Sequence, residues 1–259
     1  MKYSGLYFIP TPSAQPADSS TTASILLSSL ETLFPTLTRT APWTLTYRLF
    51  RDVAPRTDSS DTPAQYAHTY QHILTHTALS PQRAYILVTP PTSQTDQIQI
   101  PSKPGSVTSI PASSSDARAL LLRHQLAALW TPRHTLSIQN GAAYTGGLFT
   151  IYIGEVRALR EGQGPGVNSP GVVVCITTVA GGEEDEGAQS LEVNGHGVEP
   201  VDFEFAQASI RELWGRIRAG RDLGRGEVRE VFTAPKADVK TEETDAVVRM
   251  WCEILRLRG

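Results

Sequence analysis

Alternating apolar and polar positions along the chain predict β-strands. Between Trp43 and Val53, the apolar residues Leu45, Tyr47 and Leu49 alternate with polar side chains, which is typical of a strand with one buried face. The same pattern, together with short apolar runs between turn residues, predicts eight strands. They cover residues 3–9, 43–53, 83–89, 97–100, 107–110, 133–140, 143–160 and 172–180.

Capping residues and apolar residues at helical spacing predict four helices, and residues 64–77 are predicted as a fifth, more polar helix. The first begins with Asp18 and two serines, residue types that cap helix N-termini. The last carries a continuous apolar stripe formed by Val247, Val248, Trp251, Ile254 and Leu255. The predicted helices cover residues 18–33, 64–77, 116–130, 205–218 and 242–257.

The connections between the late strands are too short to contain crossover helices. Asn140-Gly141 and residues 162–169 have the length of hairpin connections, which join antiparallel neighbours. We therefore predict an α+β fold with an eight-stranded, mostly antiparallel, β-barrel-like sheet and flanking helices. Residues 1–259 form a single domain in this prediction, and residues 161–171 and 181–200 are loop insertions.

Composition narrows the class of protein. With 40% hydrophobic and 19% charged residues, the 259-residue chain is apolar enough to fold into a globular domain. Its net charge of -3 gives no long-range positive field, which disfavours free DNA or RNA as a ligand. Cys175 and Cys252 lie in apolar surroundings, which indicates a reducing compartment rather than a disulfide framework. The apolar runs are too short to span a membrane, so we expect a soluble intracellular protein.

Three histidines recur every four residues in the predicted helix 64–77. His68, His72 and His76 would form a stripe that could bind a metal. No glutamate follows the first histidine as in H-E-x-x-H, and no nearby cysteine or acidic cluster offers a third ligand. We therefore expect a solvated helix face that binds no metal, with histidines that titrate as surface groups.

Two further segments have a possible chemical role and a simpler explanation. Gly162, Gly164 and Gly166 are spaced as in a phosphate-binding loop, but they do not open a helix, so a hairpin loop is favoured. The acidic run 183–186 could bind calcium. It lacks the alternate spacing of a calcium loop, so a solvated insertion is favoured.

The sequence contains no recognisable catalytic motif. There is no G-x-S-x-G elbow, and the strands lack the alternating charged side chains that line the barrel of a tunnel enzyme. We predict no catalytic, cofactor-binding or metal-binding residues, and no cofactor. A metal-dependent or phosphate-processing barrel enzyme stays open as the alternative. A nucleic-acid-binding module is a third hypothesis, based on a basic segment with Arg216, Arg218, Arg221, Arg225 and Arg229.

Four blocks of the sequence resemble the Mediator subunit 20 family. They are residues 5–10, 122–130 leading into 135–144, 149–157 and 169–176. The resemblance implies a non-catalytic subunit of the Mediator coactivator complex, in its head module and in the nucleus. It further implies a heterodimer with Mediator subunit 18, contact with other head subunits, and an indirect relay of regulatory signals to RNA polymerase II. It implies no membrane and no direct sequence-specific contact with nucleic acid.

A candidate partner surface follows from alternation along the predicted strand 143–160. Phe149, Ile151 and Ile153, with Gly147, are assigned to the interior because that side carries no charge. The outward row is too apolar to be left in water, so either a helix of this chain or a partner must cover it. The resemblance favours subunit 18. The predicted interface residues are Tyr144, Leu148, Thr150, Tyr152 and Val156.

Overall fold

The computed structural model describes residues 2–11, 16–54, 66–91, 105–159, 168–179, 200–224, 226–233 and 240–257. Within these ranges the chain forms ten β-strands and four α-helices. The strands are β1 (Lys2–Pro10), β2 (Thr38–Arg39), β3 (Trp43–Asp52), β4 (Tyr70–His76), β5 (Arg83–Thr89), β6 (Ser106–Pro111), β7 (Trp130–Gly146), β8 (Phe149–Leu159), β9 (Asn168–Val179) and β10 (Arg229–Phe232). The helices are α1 (Pro16–Leu33), α2 (Ser115–Leu120), α3 (Pro200–Arg218) and α4 (Lys240–Leu255).

All ten described strands belong to one sheet. Its order is β10-β1-β9-β8-β7-β3-β4-β5-β6, and β2 pairs with β7 beside this path. Each pairing among these strands is antiparallel. The predicted α+β class and mostly antiparallel sheet are therefore confirmed, with ten strands in place of eight.

The sheet curls around α4 without closing. β10 and β6 are its edge strands, and they do not pair with each other in the described chain. α4 packs against β1 and β10 near one edge and against β4 and β5 near the other, so the sheet bends around the helix. Side chains of α4 thus fill the gap that strand pairing would close in a complete barrel.

Helices cover both faces of the sheet and create two cores. The inner core, between the concave face and α4, includes Tyr47, Leu74 and Trp251. The outer core, between the opposite face and helices α1 and α3, includes Tyr7 and Trp214. Strands β1 and β9 are therefore covered on both faces. This explains why the central residues of β9 are all apolar and buried, namely Val172, Val173, Val174, Cys175 and Ile176.

The predicted apolar stripe of the last helix is confirmed. Val248, Trp251, Ile254 and Leu255 are at most 1% exposed in the inner core, and Val247 packs against the same core. These side chains recur at helical spacing because the sheet surrounds only one side of α4. Among the described residues, no helix combines the length and apolar composition that a membrane crossing requires.

The prediction of a helix at residues 64–77 is wrong. Residues 66–69 have no regular structure, and Tyr70–His76 forms β4. A spacing of four residues places side chains on one face of a strand as well as near one face of a helix. The histidine spacing therefore could not separate the two structures. His72, Leu74 and His76 are buried on the inner face of β4. Residues that alternate in this way share one face of a strand but not of a helix.

The predicted strand 143–160 is a hairpin. β7 ends at Gly146, β8 begins at Phe149, and Gly147 in the turn has φ +56°, a left-handed conformation that favours glycine. The Asn140-Gly141 pair, predicted as a hairpin connection, lies inside β7 instead. A Cβ atom at Gly141 would come within 2.3 Å of the Trp43 ring, so the missing side chain makes room for the indole.

The other predicted elements differ in extent or lie elsewhere. α2 is shorter than the predicted helix 116–130, because a wider helical turn at Leu121–Gln125 follows it and β7 begins at Trp130. β9 begins at Asn168, inside the predicted insertion 161–171. Four predicted features lie outside the described residues: strand 97–100, the glycines at 162, 164 and 166, most of insertion 181–200, and its acidic run 183–186.

Candidate protein-interaction site

The five predicted interface residues do not form one outward row. Tyr144 is 2% exposed in the outer core, where its hydroxyl donates a hydrogen bond to the Glu31 carboxylate of α1. Val156 is fully buried in the inner core. Leu148 is 67% exposed at the hairpin turn, and Thr150 and Tyr152 are half-buried on β8.

The turn between β7 and β8 explains why the predicted interface residues lie on two faces of the sheet. Across this hairpin Tyr144 pairs with Ile151, and Ala143 pairs with Tyr152. Residues directly opposed in an antiparallel pair lie on the same face of the sheet. Tyr144 therefore shares a face with Ile151, whereas Tyr152 points to the opposite face. Counting alternate positions through the turn as if it were one strand placed Tyr144 on the wrong face.

Leu148, Thr150 and Tyr152 come together at a cavity near the N-terminal end of α4. We call this the end cavity; its volume is ≈ 270 Å³. β1, β8 and β9 form one wall, and α4 forms the other. Its lining residues are Lys2, Ser4, His76, Ala78, Leu79, Leu148, Thr150, Tyr152, Cys175, Thr177, Val179, Glu243, Thr244, Val247 and Trp251.

The end cavity has an uncharged, aromatic floor and a rim that carries both polar and aliphatic side chains. His76 and Trp251 meet edge to face, 4.8 Å apart between ring centroids. Burial lowers the pKa of the His76 imidazole to about 3, so this ring is neutral at physiological pH. At the rim, the backbone N–H of Lys2 donates a hydrogen bond to the Glu243 carboxylate, at 3.0 Å. The cavity therefore suits an apolar side chain that enters from outside.

The end cavity contains one cysteine thiol, that of Cys175. Burial raises the pKa of the Cys175 thiol to about 12, so this group stays protonated near neutral pH. Desolvation is also the main reason for the neutral state of His76, and no carboxylate in the described chain hydrogen-bonds to that ring. The arrangement offers neither a thiolate nor an oriented general base.

The three histidines of the predicted metal stripe have separate surroundings. Burial lowers the pKa of His72 to about 3, and its Nδ1 lies 2.8 Å from the Tyr47 hydroxyl. His68 lies beside Asp52, with 2.8 Å between Nδ1 and the carboxylate. The prediction that all three titrate as surface groups is therefore wrong for His72 and His76. Within the described ranges, no three histidine, cysteine or acidic side chains lie close enough to share a metal ion.

The predicted basic segment does not form one surface. The Arg216 guanidinium lies over the ring of Phe34, 4.9 Å from its centroid. Arg229 instead points to the other side of the molecule, where it reaches carbonyl groups at the C-terminal end of α4. Arg225 lies outside the described residues. Among the described residues, Arg216 and Arg229 therefore do not share the single arginine patch on which the nucleic-acid hypothesis was based.

Comparison of the sequence with known families determines which family the protein belongs to. The family described as TATA-binding related factor (TRF) of subunit 20 of the Mediator complex, Med20, matches residues 1–232. The chain belongs to this family. The resemblance predicted from four blocks of sequence is thereby confirmed, and the chain is a Med20-type subunit of the Mediator complex that acts in transcription regulation. A search of curated proteins found no match.

Two solved structures are similar to this Med20 chain at low identity. The Mediator head module of Schizosaccharomyces pombe contains a chain with 13% identity and a TM-score of 0.38; the match covers 86% of this chain and 97% of that one. The PH1819 protein of Pyrococcus horikoshii OT3 has 12% identity and a TM-score of 0.37, with 88% and 93% covered. The family membership of the chain therefore depends on its sequence match.

Proposed function

We propose that this Med20 chain is a non-catalytic subunit of the Mediator head module and pairs there with Mediator subunit 18. In this role it lies in the nucleus, contacts other head subunits, and helps relay regulatory signals to RNA polymerase II. It needs no cofactor and makes no direct sequence-specific contact with nucleic acid. Membership of the Mediator subunit 20 family supports the proposal.

The observation that carries the partner-binding role is a pair of exposed aliphatic side chains at the rim of the end cavity. Leu148 is 67% exposed and Val179 is 48% exposed, and both line the same opening. Behind them, Tyr152 presents a half-buried ring and a hydroxyl group. Exposed aliphatic side chains around an apolar cavity are typical of a surface that a partner covers.

Three of the five predicted interface residues are proposed to contact the partner. Leu148, Thr150 and Tyr152 are accessible at the end cavity and would touch the partner directly. Tyr144 and Val156 are buried in the outer and inner cores. They would support the position of β7 and β8 without touching the partner, because a buried core side chain cannot reach across an interface unless the fold opens.

Two chemical features favour a non-catalytic role over the barrel-enzyme alternative. In the described part of the chain, α4 fills the inner face of the sheet, where a tunnel enzyme would bind its substrate. In the end cavity, burial keeps the Cys175 thiol protonated and makes the His76 imidazole a weak base, because it lowers the pKa of that ring. Metal analysis and a phosphatase panel on the purified protein test the alternative, since a stoichiometric metal or turnover would support an enzyme.

Purification of the tagged full-length chain from nuclear extract, followed by mass spectrometry, tests the assembly. The proposal expects subunit 18 in a one-to-one ratio, together with other head subunits. Untagged extract is the control for proteins that bind to the resin. Recovery of the chain without subunit 18, or its absence from the nuclear fraction, would contradict the proposal.

A further inference from the structure

Four arginines surround a second cavity, at the C-terminal end of α4. We call this the arginine cavity; its volume is ≈ 460 Å³. Arg51 comes from β3, Arg133 from β7, Arg229 from β10, and Arg256 from the residues that follow α4. The other lining residues are Leu49, Tyr70, His134, Glu253 and Leu257. Side chains from distant parts of the sequence thus place several positive charges around one opening.

Among the described residues, these four arginines lack the carboxylate partners that other arginines have. Arg48, Arg157 and Arg211 form ion pairs with Asp116, Glu155 and Glu230. In the described part of the chain, no carboxylate lies within ion-pair distance of the four cavity arginines. The Nε atom of Arg51 is buried and has no hydrogen-bond partner among the described residues. A buried donor without an acceptor costs stability.

Contacts within the fold explain only a part of the cluster. Arg229 donates to the carbonyls of Ile254 and Glu253, at 3.4 Å each, and so caps the end of α4. The Arg256 guanidinium stacks over Tyr70, 4.0 Å from the ring centroid. A helix C-terminus carries only about half a negative charge, and Glu253 in the lining adds one more, so four guanidinium groups are not balanced. Neither explanation applies to Arg51 or Arg133.

We propose that the arginine cavity binds an acidic segment of a partner protein. Anionic side chains of that segment would pair with Arg51, Arg133 and Arg256, because guanidinium groups bind carboxylate and phosphate in a bidentate geometry. An apolar side chain next to them would pack against Leu49 and Leu257. The anionic group is the shared chemistry, and it can come from aspartate and glutamate or from phosphoserine.

Charge distribution favours a protein segment over a nucleic acid. The whole chain has a net charge of -3, so it does not attract a long polyanion. The arginines surround one cavity and do not form a track along which a phosphate backbone could lie. The lining also includes Leu49, Tyr70 and Leu257, which offer an apolar contact that a phosphate backbone would not use.

Fluorescence anisotropy with the full-length chain tests this site. The probe is a short labelled peptide of aspartate, glutamate and leucine, and its matched control replaces the acidic residues by asparagine and glutamine. The acidic peptide should bind at least about tenfold more tightly than the amide peptide. Arg51→Gln and Arg133→Glu should each weaken binding of the acidic peptide by about tenfold. Arg83→Glu should leave it unchanged, because Arg83 is exposed at the opposite end of β5 from Tyr70 and its neighbours.

A phosphoserine version of the peptide identifies the source of the anion. Tighter binding of a phosphoserine version would assign the cavity to phosphorylated segments, and equal binding would assign it to carboxylates; both support the site. Thermal unfolding of each variant checks that the fold is intact, and exposed Arg133 offers a position where a substitution leaves the core untouched. Equal binding of the amide peptide, no binding of any peptide, or tighter binding of an oligonucleotide of the same charge would overturn the proposal.

Discussion

The imidazole of His76 stacks on the indole of Trp43, with ring centroids 4.9 Å apart and planes 11° from parallel. Trp251 of α4 lies close to both rings, 5.7 Å from Trp43 and 4.8 Å from His76. Aromatic side chains of β3, β4 and α4 thus form one cluster in the inner core. This cluster holds α4 inside the curled sheet and provides the floor of the end cavity.

Replacement of Trp251 by alanine should unfold the protein more easily. The indole is 1% exposed and contacts both Trp43 and His76, so its removal leaves a cavity in the inner core. We expect the free energy of unfolding to fall by about 3 to 5 kcal/mol, measured by urea denaturation. Glu204→Ala, at an exposed position of α3, should change it by less than about 0.5 kcal/mol. A loss below roughly 1 kcal/mol for Trp251→Ala would mean that α4 does not pack as described.

Acid should destabilise the protein through His72 and His76. Burial lowers the pKa of each imidazole to about 3, below its ordinary value of 6.5. As the pH falls below 6.5, the unfolded chain takes up protons that the native protein does not. Stability is therefore lost between these two pKa values, by up to about 1.4 kcal/mol per pH unit for each histidine.

Urea denaturation across this pH window measures the effect. In the His76→Gln variant, the slope of the free energy of unfolding against pH should be smaller by about 1.4 kcal/mol per pH unit. This is the contribution of one histidine. An unchanged slope for His76→Gln would show that this ring titrates while it is folded.

Alanine substitutions at two glycines should have opposite effects. Gly147 has φ +56° and Gly215 lies within α3 at an ordinary helical φ; an added Cβ meets no atom within 4 Å at either position. Gly147→Ala should lower stability by about 1 kcal/mol because of the left-handed backbone. Gly215→Ala should raise it by about 0.5 to 1 kcal/mol, since alanine loses less backbone entropy in a helix. Thermal unfolding compares the two, and a stabilising Gly147→Ala would exclude the hairpin turn between β7 and β8.

Both cysteines should resist a thiol reagent in the native protein. Cys175 and Cys252 are 3% and 1% exposed, and burial raises the pKa of each thiol above its ordinary value. Ellman's reagent near neutral pH should label neither of them until urea unfolds the chain, because thiolate is the reactive form. Rapid labelling of Cys175 in the folded protein would instead indicate an accessible nucleophile in the end cavity and favour the enzyme hypothesis.

The sequence predicted those elements whose pattern has a single structural explanation. The stripe around Trp251 is compatible only with a one-sided helix, and the apolar run through Val174 indicates a strand covered on both faces. His72 and His76, four residues apart, fit a helix and a strand equally well, so local spacing could not identify β4. The Gly146-Gly147 pair marks the turn of the hairpin, and this signal would have placed Tyr144 and Tyr152 on opposite faces.

Neither cavity could be predicted from the sequence. The end cavity brings Leu148 of the hairpin turn together with Glu243 of α4, and the arginine cavity brings Arg51 together with Arg229. Such pairs are far apart along the chain. Their meeting depends on how the sheet curls around α4, which is a property of the tertiary packing and leaves no local pattern of spacing.

Isothermal titration of the purified chain with Mediator subunit 18 tests the central claim most directly. The comparison uses Leu148→Asp, at the exposed rim of the end cavity, and Leu129→Asp, at an exposed leucine (59%) beside the opposite end of β7. Both variants should fold like the wild-type protein. We predict that the wild-type chain binds subunit 18 with one-to-one stoichiometry. Leu148→Asp should weaken this binding by about 2 kcal/mol or more, and Leu129→Asp should leave it unchanged. Equal affinities for the wild-type chain and Leu148→Asp, or no binding of subunit 18 at all, would contradict the account.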